Sequence, residues 1–175
     1  MLRKINAVIS MLITILLMYH AIFNAMRMLS MGAIQSAVSN ISWVLFWTMM
    51  VHAVISLALA VLGHKGAEKR KCNTYSKLNV STNIQRASGV LLIVFTILHV
   101  LGTIGVMQPP PLVHAILPPL FFTLALMHVA VSGSKAFITL GIGNAKFVKI
   151  ADVVIKVLCI VTLIADVIGF YLYLC

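Results

Sequence analysis

Acidic side chains are almost missing from this chain. Three Asp and Glu residues (Glu68, Asp152 and Asp166) stand against 13 Lys and Arg in 175 residues, and charged residues of both signs make up 9%. A proton relay built from alternating acids is therefore excluded, since only Asp166 falls deep inside an apolar stretch. Cysteine is scarce too. Cys72, Cys159 and Cys175 share no spacing, which excludes a disulfide framework, CxxCH haem attachment and a cluster-binding cysteine set. There is no dinucleotide-binding glycine fingerprint. What is present is apolar: 62% of the residues are hydrophobic and the mean hydropathy is +1.10. No soluble domain of this size needs so much apolar surface, so the class is integral membrane protein.

A hydrocarbon core of about 30 Å takes roughly 20 helical residues to cross. Stretches long enough lie at about 5–29, 38–62, 84–106, 117–140 and 147–174. Their apolar runs are continuous rather than alternating, which excludes a β-barrel. The expected fold is all-α, one integral membrane domain over residues 1–175, with five transmembrane helices and no room for a soluble catalytic domain. Arg3 and Lys4 before the first run resemble a signal-peptide start. The run outlasts the roughly 7–15 residues of a signal core and lacks a small-residue cleavage site, so it is read as a permanent helix.

The net charge of +10 follows topology, which argues against nucleic acid as partner. Arg3 and Lys4 precede span one; Lys65, Lys69, Arg70, Lys71, Lys77 and Arg86 lie between spans two and three or at the foot of span three. Lys135, Lys146, Lys149 and Lys156 surround the connection between spans four and five, and Arg27 alone falls on the other side. The positive-inside rule then places the N-terminus in the cytoplasm and the C-terminus outside. The basic loop at 65–81 faces anionic lipid headgroups or a soluble partner. Prolines 109–111 end span three and stiffen the outer connection, and Pro118 and Pro119 fall in the first turn of span four. Trp43 reads as an interfacial anchor, and Asp152 and Lys156 as an i,i+4 ion pair.

Histidine supplies the chemistry. His20, His52, His99 and His128 each sit deep in a different span, while His64 and His114 lie at span ends. An ionisable ring in hydrocarbon needs a partner, a metal or a proton path. One such ring is ordinarily a hydrogen-bonded core residue; four of them on facing helices suit a cofactor held in a bundle core. Neutral imidazole is a good axial ligand for haem iron, and two bis-histidine haems would use all four. Zinc fits less well, because the rings come from separate helices with no i,i+4 pair or nearby carboxylate. Depth alone leaves the pairing of the four open, since each lies about 15 to 22 Å from its inner helix end.

The order of these residues resembles a known family. Gln85-Arg86-Ala87-Ser88-Gly89 with His99 is similar to the Q-R-x-[ST]-G…H helix of the di-haem cytochrome b membrane-anchor subunits of succinate dehydrogenases and fumarate reductases. His52-Ala53-Val54 resembles that family's second ligand segment, and His128 with Thr139, Gly141 and Ile142 its H…T-x-G-I tail. The resemblance implies that helices one to four form a haem-binding bundle. In it His20 and His99 ligate an outer haem b and His52 and His128 an inner one, with Arg86 and Lys135 near the propionates and Ser88 and Gly89 against a macrocycle. It implies an electron-transfer anchor between menaquinone or ubiquinone and cytoplasmic flavoprotein and iron–sulfur subunits, in a bacterial or archaeal cytoplasmic membrane. Dicarboxylate catalysis would belong to the partner subunits. The chain departs from the pattern where relatives place quinol-site glutamates, having Ser42 and Trp43 at one place and Leu126 at the other. Asp166, His114, Arg27 and Asn24 are the substitutes, with Asp166 ranked first for proton and quinone chemistry. The competing readings are a cytochrome b of a hydrogenase or formate dehydrogenase, which usually carries two histidines on one helix, and a small proton-coupled transporter.

Overall fold

A backbone in hydrocarbon must satisfy its own N–H and C=O groups, and a continuous apolar run does so as a helix. In the computed structural model the described residues are 1–28, 35–67, 76–107 and 110–174. Within that set, the side chains of residues 25, 27–28, 35–40, 63–67, 76–79, 111–115 and 172–174 are not described. Arg27, His64, Lys65, Lys77 and His114 therefore lie outside the described side chains, as do the connections holding Glu68, Lys69, Arg70, Lys71 and Cys72.

The described residues form five helices: α1 Leu2–Met28, α2 Gln35–Ala67, α3 Ser76–Thr103, α4 Pro111–Leu140 and α5 Ala145–Leu174. Each contains an apolar span of 22 to 27 residues, long enough to cross a bilayer. Ile15, Val54, Val90, Ile138 and Ile160 all stand exposed on the helix flanks. Water would penalise that surface, whereas lipid matches it.

Several helix limits differ from the sequence expectation, and five of them have a local reason. α2 ends later and α3 begins earlier than the apolar runs, because a helix continues beyond the membrane where the chain stays polar but unbroken. α3 stops at Thr103 rather than at 106, where Gly105 turns left-handed at φ 76° and Met107 N–H returns to Leu101 O. α4 begins at Pro111, whose locked φ suits the first helical position. Pro118 and Pro119 thus lie inside the helix and not in its first turn. Finally, α5 begins at Ala145 because the Asn144 side chain accepts the Phe147 N–H at 2.9 Å, an N-cap. The turn before it opens at Gly141, φ 73°, whose N–H bonds Ile138 O while Ile142 N–H bonds Phe137 O.

α1 and α4 are the central helices. α4 packs on α1, α3 and α5, and α1 also packs on α2 and α5, while α2 and α3 meet only loosely. Helices one to four therefore form a ring in which α1 faces α3, and α2 faces α4, across diagonals. Leu17, Leu45, Leu92, Leu126, Val129 and Cys159, one or more from every helix, make a single buried apolar cluster. Small residues bring α4 and α5 together: a Cβ on Gly133 would lie 3.1 Å from Ile155 Cδ1. Gly133→Val is expected to destabilise the fold by about 1–3 kcal/mol. Unfolding of the purified protein checks this, with Ile155→Ala in the same background restoring part of the loss.

Candidate functional site

Two hydrogen-bonded contacts set the register of α1 against α2. Asn6 Nδ2 donates to Ser56 Oγ at 3.1 Å, and Ser56 Oγ approaches Asn6 Oδ1 at 3.4 Å. Towards the other end, Ser42 Oγ lies 3.1 Å from His20 Nδ1. The contacts are fourteen residues apart on both helices, about 21 Å of rise, so the pair is antiparallel and in step. The end carrying the N-terminus is called the near end below, and the opposite one the far end.

The same register places the histidines at two depths. Ser42 brings His20 level with the far contact of α1 and α2, and His52, one turn from Ser56 at the near contact, lies ten residues from Ser42, about 15 Å of rise towards the near end. On the other two helices Ser88 lies beside His128, and His99, whose ring meets Phe121, lies eleven residues further along α3, about 16 Å towards the far end. Each depth therefore holds two rings on helices that face each other diagonally, α1 with α3 and α2 with α4. The apolar cluster of Leu17, Leu45, Leu92 and Leu126 lies between the two levels.

At the near level, Ser88 Oγ is 2.8 Å from His128 Nδ1 and also 2.8 Å from Ile84 O. When the hydroxyl donates to the Ile84 carbonyl it can accept from Nδ1–H. In that tautomer Nε2 keeps its lone pair, the state a metal requires. Gly89 lies against the same ring, and a Cβ there would meet His128 Cε1 at 3.3 Å. His52 approaches Ser56 Oγ through Nε2 at 3.4 Å, and its Nδ1 is buried without a hydrogen-bond partner among the described residues.

At the far level His20 is held from both sides, by Ser42 at Nδ1 and by Asn24 Nδ2 2.9 Å from Nε2. The His99 ring tilts against Phe121 with centroids 5.3 Å apart. Thr96, one turn before His99 on α3, has a buried hydroxyl without a partner among the described residues. Asp166 sits on the stripe of α5 that carries Cys159 and Thr162, whose hydroxyl reaches Met18 on α1. Its Oδ2 is likewise buried with no partner among the described residues.

The cations lie at the near end. Lys135 Nζ donates to Gln85 Oε1 at 2.8 Å and to Ser81 Oγ at 3.0 Å. Arg86 is exposed, one position off the stripe of Gln85, Ser88, Leu92 and Thr96 that faces inward from α3. Asp152 pairs with Lys156 as the spacing anticipates, and its other oxygen accepts from Ser134 Oγ at 2.7 Å. Trp43 is exposed with its ring edge-on to Phe46, as an interfacial anchor requires.

The polar partners are what residue-type reasoning about histidine passes over, although a signal for them exists. Each span histidine is followed four residues later by a small polar residue: Asn24, Ser56, Thr103 and Ser132. The first two bond the ring. The last two bond the histidine's own carbonyl, at 2.7 and 2.6 Å. His64 and His114 are followed by Glu68 and Pro118 and lack the pattern.

No group of three or more His, Cys, Asp or Glu able to hold a bare metal ion occurs among the described residues. No protein-family model, curated protein or solved structure matches the chain. A double-mutant cycle on Asn6→Ala and Ser56→Ala is expected to give a coupling of about 0.6 kcal/mol, at most about 1.7, favouring the α1–α2 pair. Unfolding free energies in one detergent measure it, and a coupling of zero would detach Asn6 from the near level.

Proposed function

We propose that this chain is the membrane-anchor subunit of a succinate dehydrogenase or fumarate reductase. In this reading it binds two b haems and relays electrons between membrane quinone and cytoplasmic iron–sulfur and flavoprotein subunits. What supports the reading is that cross-helix contacts set His20 and His99 towards the far end and His52 and His128 towards the near end, on the diagonals of a four-helix ring. His20 and His99 would hold one haem, and His52 and His128 the other. Bound haem supplies one-electron redox chemistry that the polypeptide lacks.

The residues present fit such a group. Ser88 Oγ, itself 2.8 Å from the Ile84 carbonyl, can accept from His128 Nδ1–H, the tautomer that presents Nε2 as a ligand. Gly89 keeps the space beside that ring clear, because any larger residue would press on it. His52 keeps a buried nitrogen, Nδ1, without a hydrogen-bond partner among the described residues. At the far level Ser42 orients His20 through Nδ1, and Asn24 must turn away from Nε2 to release it. The leucines between the levels exclude water, which keeps the two sites separate and dry. Arg86, at the near boundary, is the cation available to propionates.

The near end is the cytoplasmic side in this reading, since the basic residues gather there. Quinone chemistry also requires a group that takes up or releases protons. Asp166 has a buried oxygen with no partner among the described residues in the far half, where the quinol-site glutamates of the resembling family are missing. It is assigned that role, with menaquinol or ubiquinol as the substrate class.

Two outcomes follow. Haem assayed as pyridine haemochrome should amount to two per chain. It should fall to one in each of His20→Ala, His52→Ala, His99→Ala and His128→Ala, while His64→Ala and His114→Ala retain both. A purified protein without a reduced b-type α-band would sink the reading. Asp166→Asn should slow quinol oxidation at least about tenfold and flatten its pH dependence while keeping both haems; unchanged turnover and pH profile would remove Asp166 from the mechanism.

A further inference from the structure

A trough of about 610 Å³ runs along α4 between α5 and the foot of α3, on a face that takes no part in the histidine pairs. Its wall is apolar for most of its length, with Met127, Val131, Ile160 and Leu163. From Thr123 to Lys135 it covers about 18 Å of helix rise. At its near end the character changes abruptly to Ser81, Lys135, Asp152 and Lys156.

The charge at that end does not cancel. Asp152 is saturated, with one oxygen on Lys156 and the other on Ser134. Lys135 bonds only neutral acceptors, Ser81 Oγ and Gln85 Oε1, and an ammonium has a third donor to give. The Asp152–Lys156 pair is the ion pair recorded among the described residues, so Lys135 stands without a carboxylate. A second cavity of about 550 Å³ shares Ser134 and Asp152 with the trough and adds Lys149 beside it. Lys135 lies five residues before the end of its span at Leu140, about 8 Å, which is close to headgroup depth.

We propose that this trough is a binding site for one anionic phospholipid. Its phosphodiester bonds the free donor of Lys135 and the exposed face of Lys156, and one acyl chain lies along Met127, Val131, Ile160 and Leu163. A net positive head on an apolar limb matches this class of ligand, and basic pockets between helices on the positive side of a membrane protein commonly take it. A neutral quinone carbonyl could accept from Lys135 but would leave its charge uncompensated, whereas a phosphodiester neutralises it. The site is independent of the haem reading.

The test uses the full-length chain in detergent, equilibrated with equimolar phosphatidylglycerol and phosphatidylcholine, with retained lipid counted by native mass spectrometry. Phosphatidylglycerol should be retained and phosphatidylcholine lost. Lys135→Gln combined with Lys156→Gln should cut that retention about tenfold or more. Lys146→Gln, a lysine at the same end but outside the trough, should leave it unchanged. Asp152→Asn, which frees Lys156, should raise retention, a change in sign that impaired folding does not mimic. Equal retention of the two lipids, or retention indifferent to the paired lysine change, overturns the proposal. Displacement by glycerol phosphate alone would refute the acyl limb, and displacement by menaquinone would reassign the trough to quinone.

Discussion

An imidazole placed in hydrocarbon loses its water and must find another partner, and that single cost governs how this fold is assembled. The rings of His20, His52 and His128 meet it through hydroxyls and an amide from their own and neighbouring helices, and His99 lies against an aromatic ring. Two of those contacts also align helices. Ser42 on His20 fixes the far half of α1 against α2, and Ser88 on His128 fixes α3 against α4. With no hydrophobic force between helices in lipid, such polar contacts and close small-residue packing decide the register. The histidines thus take part in holding the fold together. In the proposed haem reading the same bonds would orient the rings for ligation.

The partition into two levels follows from the same register. Leu17, Leu45 and Leu92 are offset from His20, Ser42 and Ser88 by three or four residues, which returns each to the interior, and there they meet Leu126. α2 meets α3 only loosely, and neither α1 with α3 nor α2 with α4 packs directly among the described residues. At the near end the chemistry changes to an ion pair, a buried serine and a lysine on neutral acceptors. That end carries the basic residues, and the trough beside α4 opens there.

Much of this was legible in the residues. Continuous apolar runs set the number of helices, and Asp152 four residues before Lys156 announced their pair. Histidine on each of the first four runs marked the site. Depth was harder to read, because the run ends blur by several residues where a helix continues into polar sequence, as α2 and α3 do. Only the cross-helix contacts, Ser42 with His20, Ser88 with His128 and Phe121 with His99, separate His20 and His99 at one end from His52 and His128 at the other. Pro118 and Pro119 misled for a related reason. A proline pair suggested a helix start, whereas Pro111 had already provided one. The cross-helix partners, Asn6 with Ser56 and Lys135 with Gln85, join residues fifty positions apart, and no local pattern could couple them.

The central claim is that four imidazoles serve as two bis-histidine sites. It is tested most directly by electron paramagnetic resonance of the oxidised, purified protein. Two low-spin ferric signals of the bis-imidazole type are predicted, one of which disappears in His20→Ala or His99→Ala and the other in His52→Ala or His128→Ala. A spectrum with no low-spin haem signal, or one in which a change at His20 removes the same signal as a change at His52, would contradict the account.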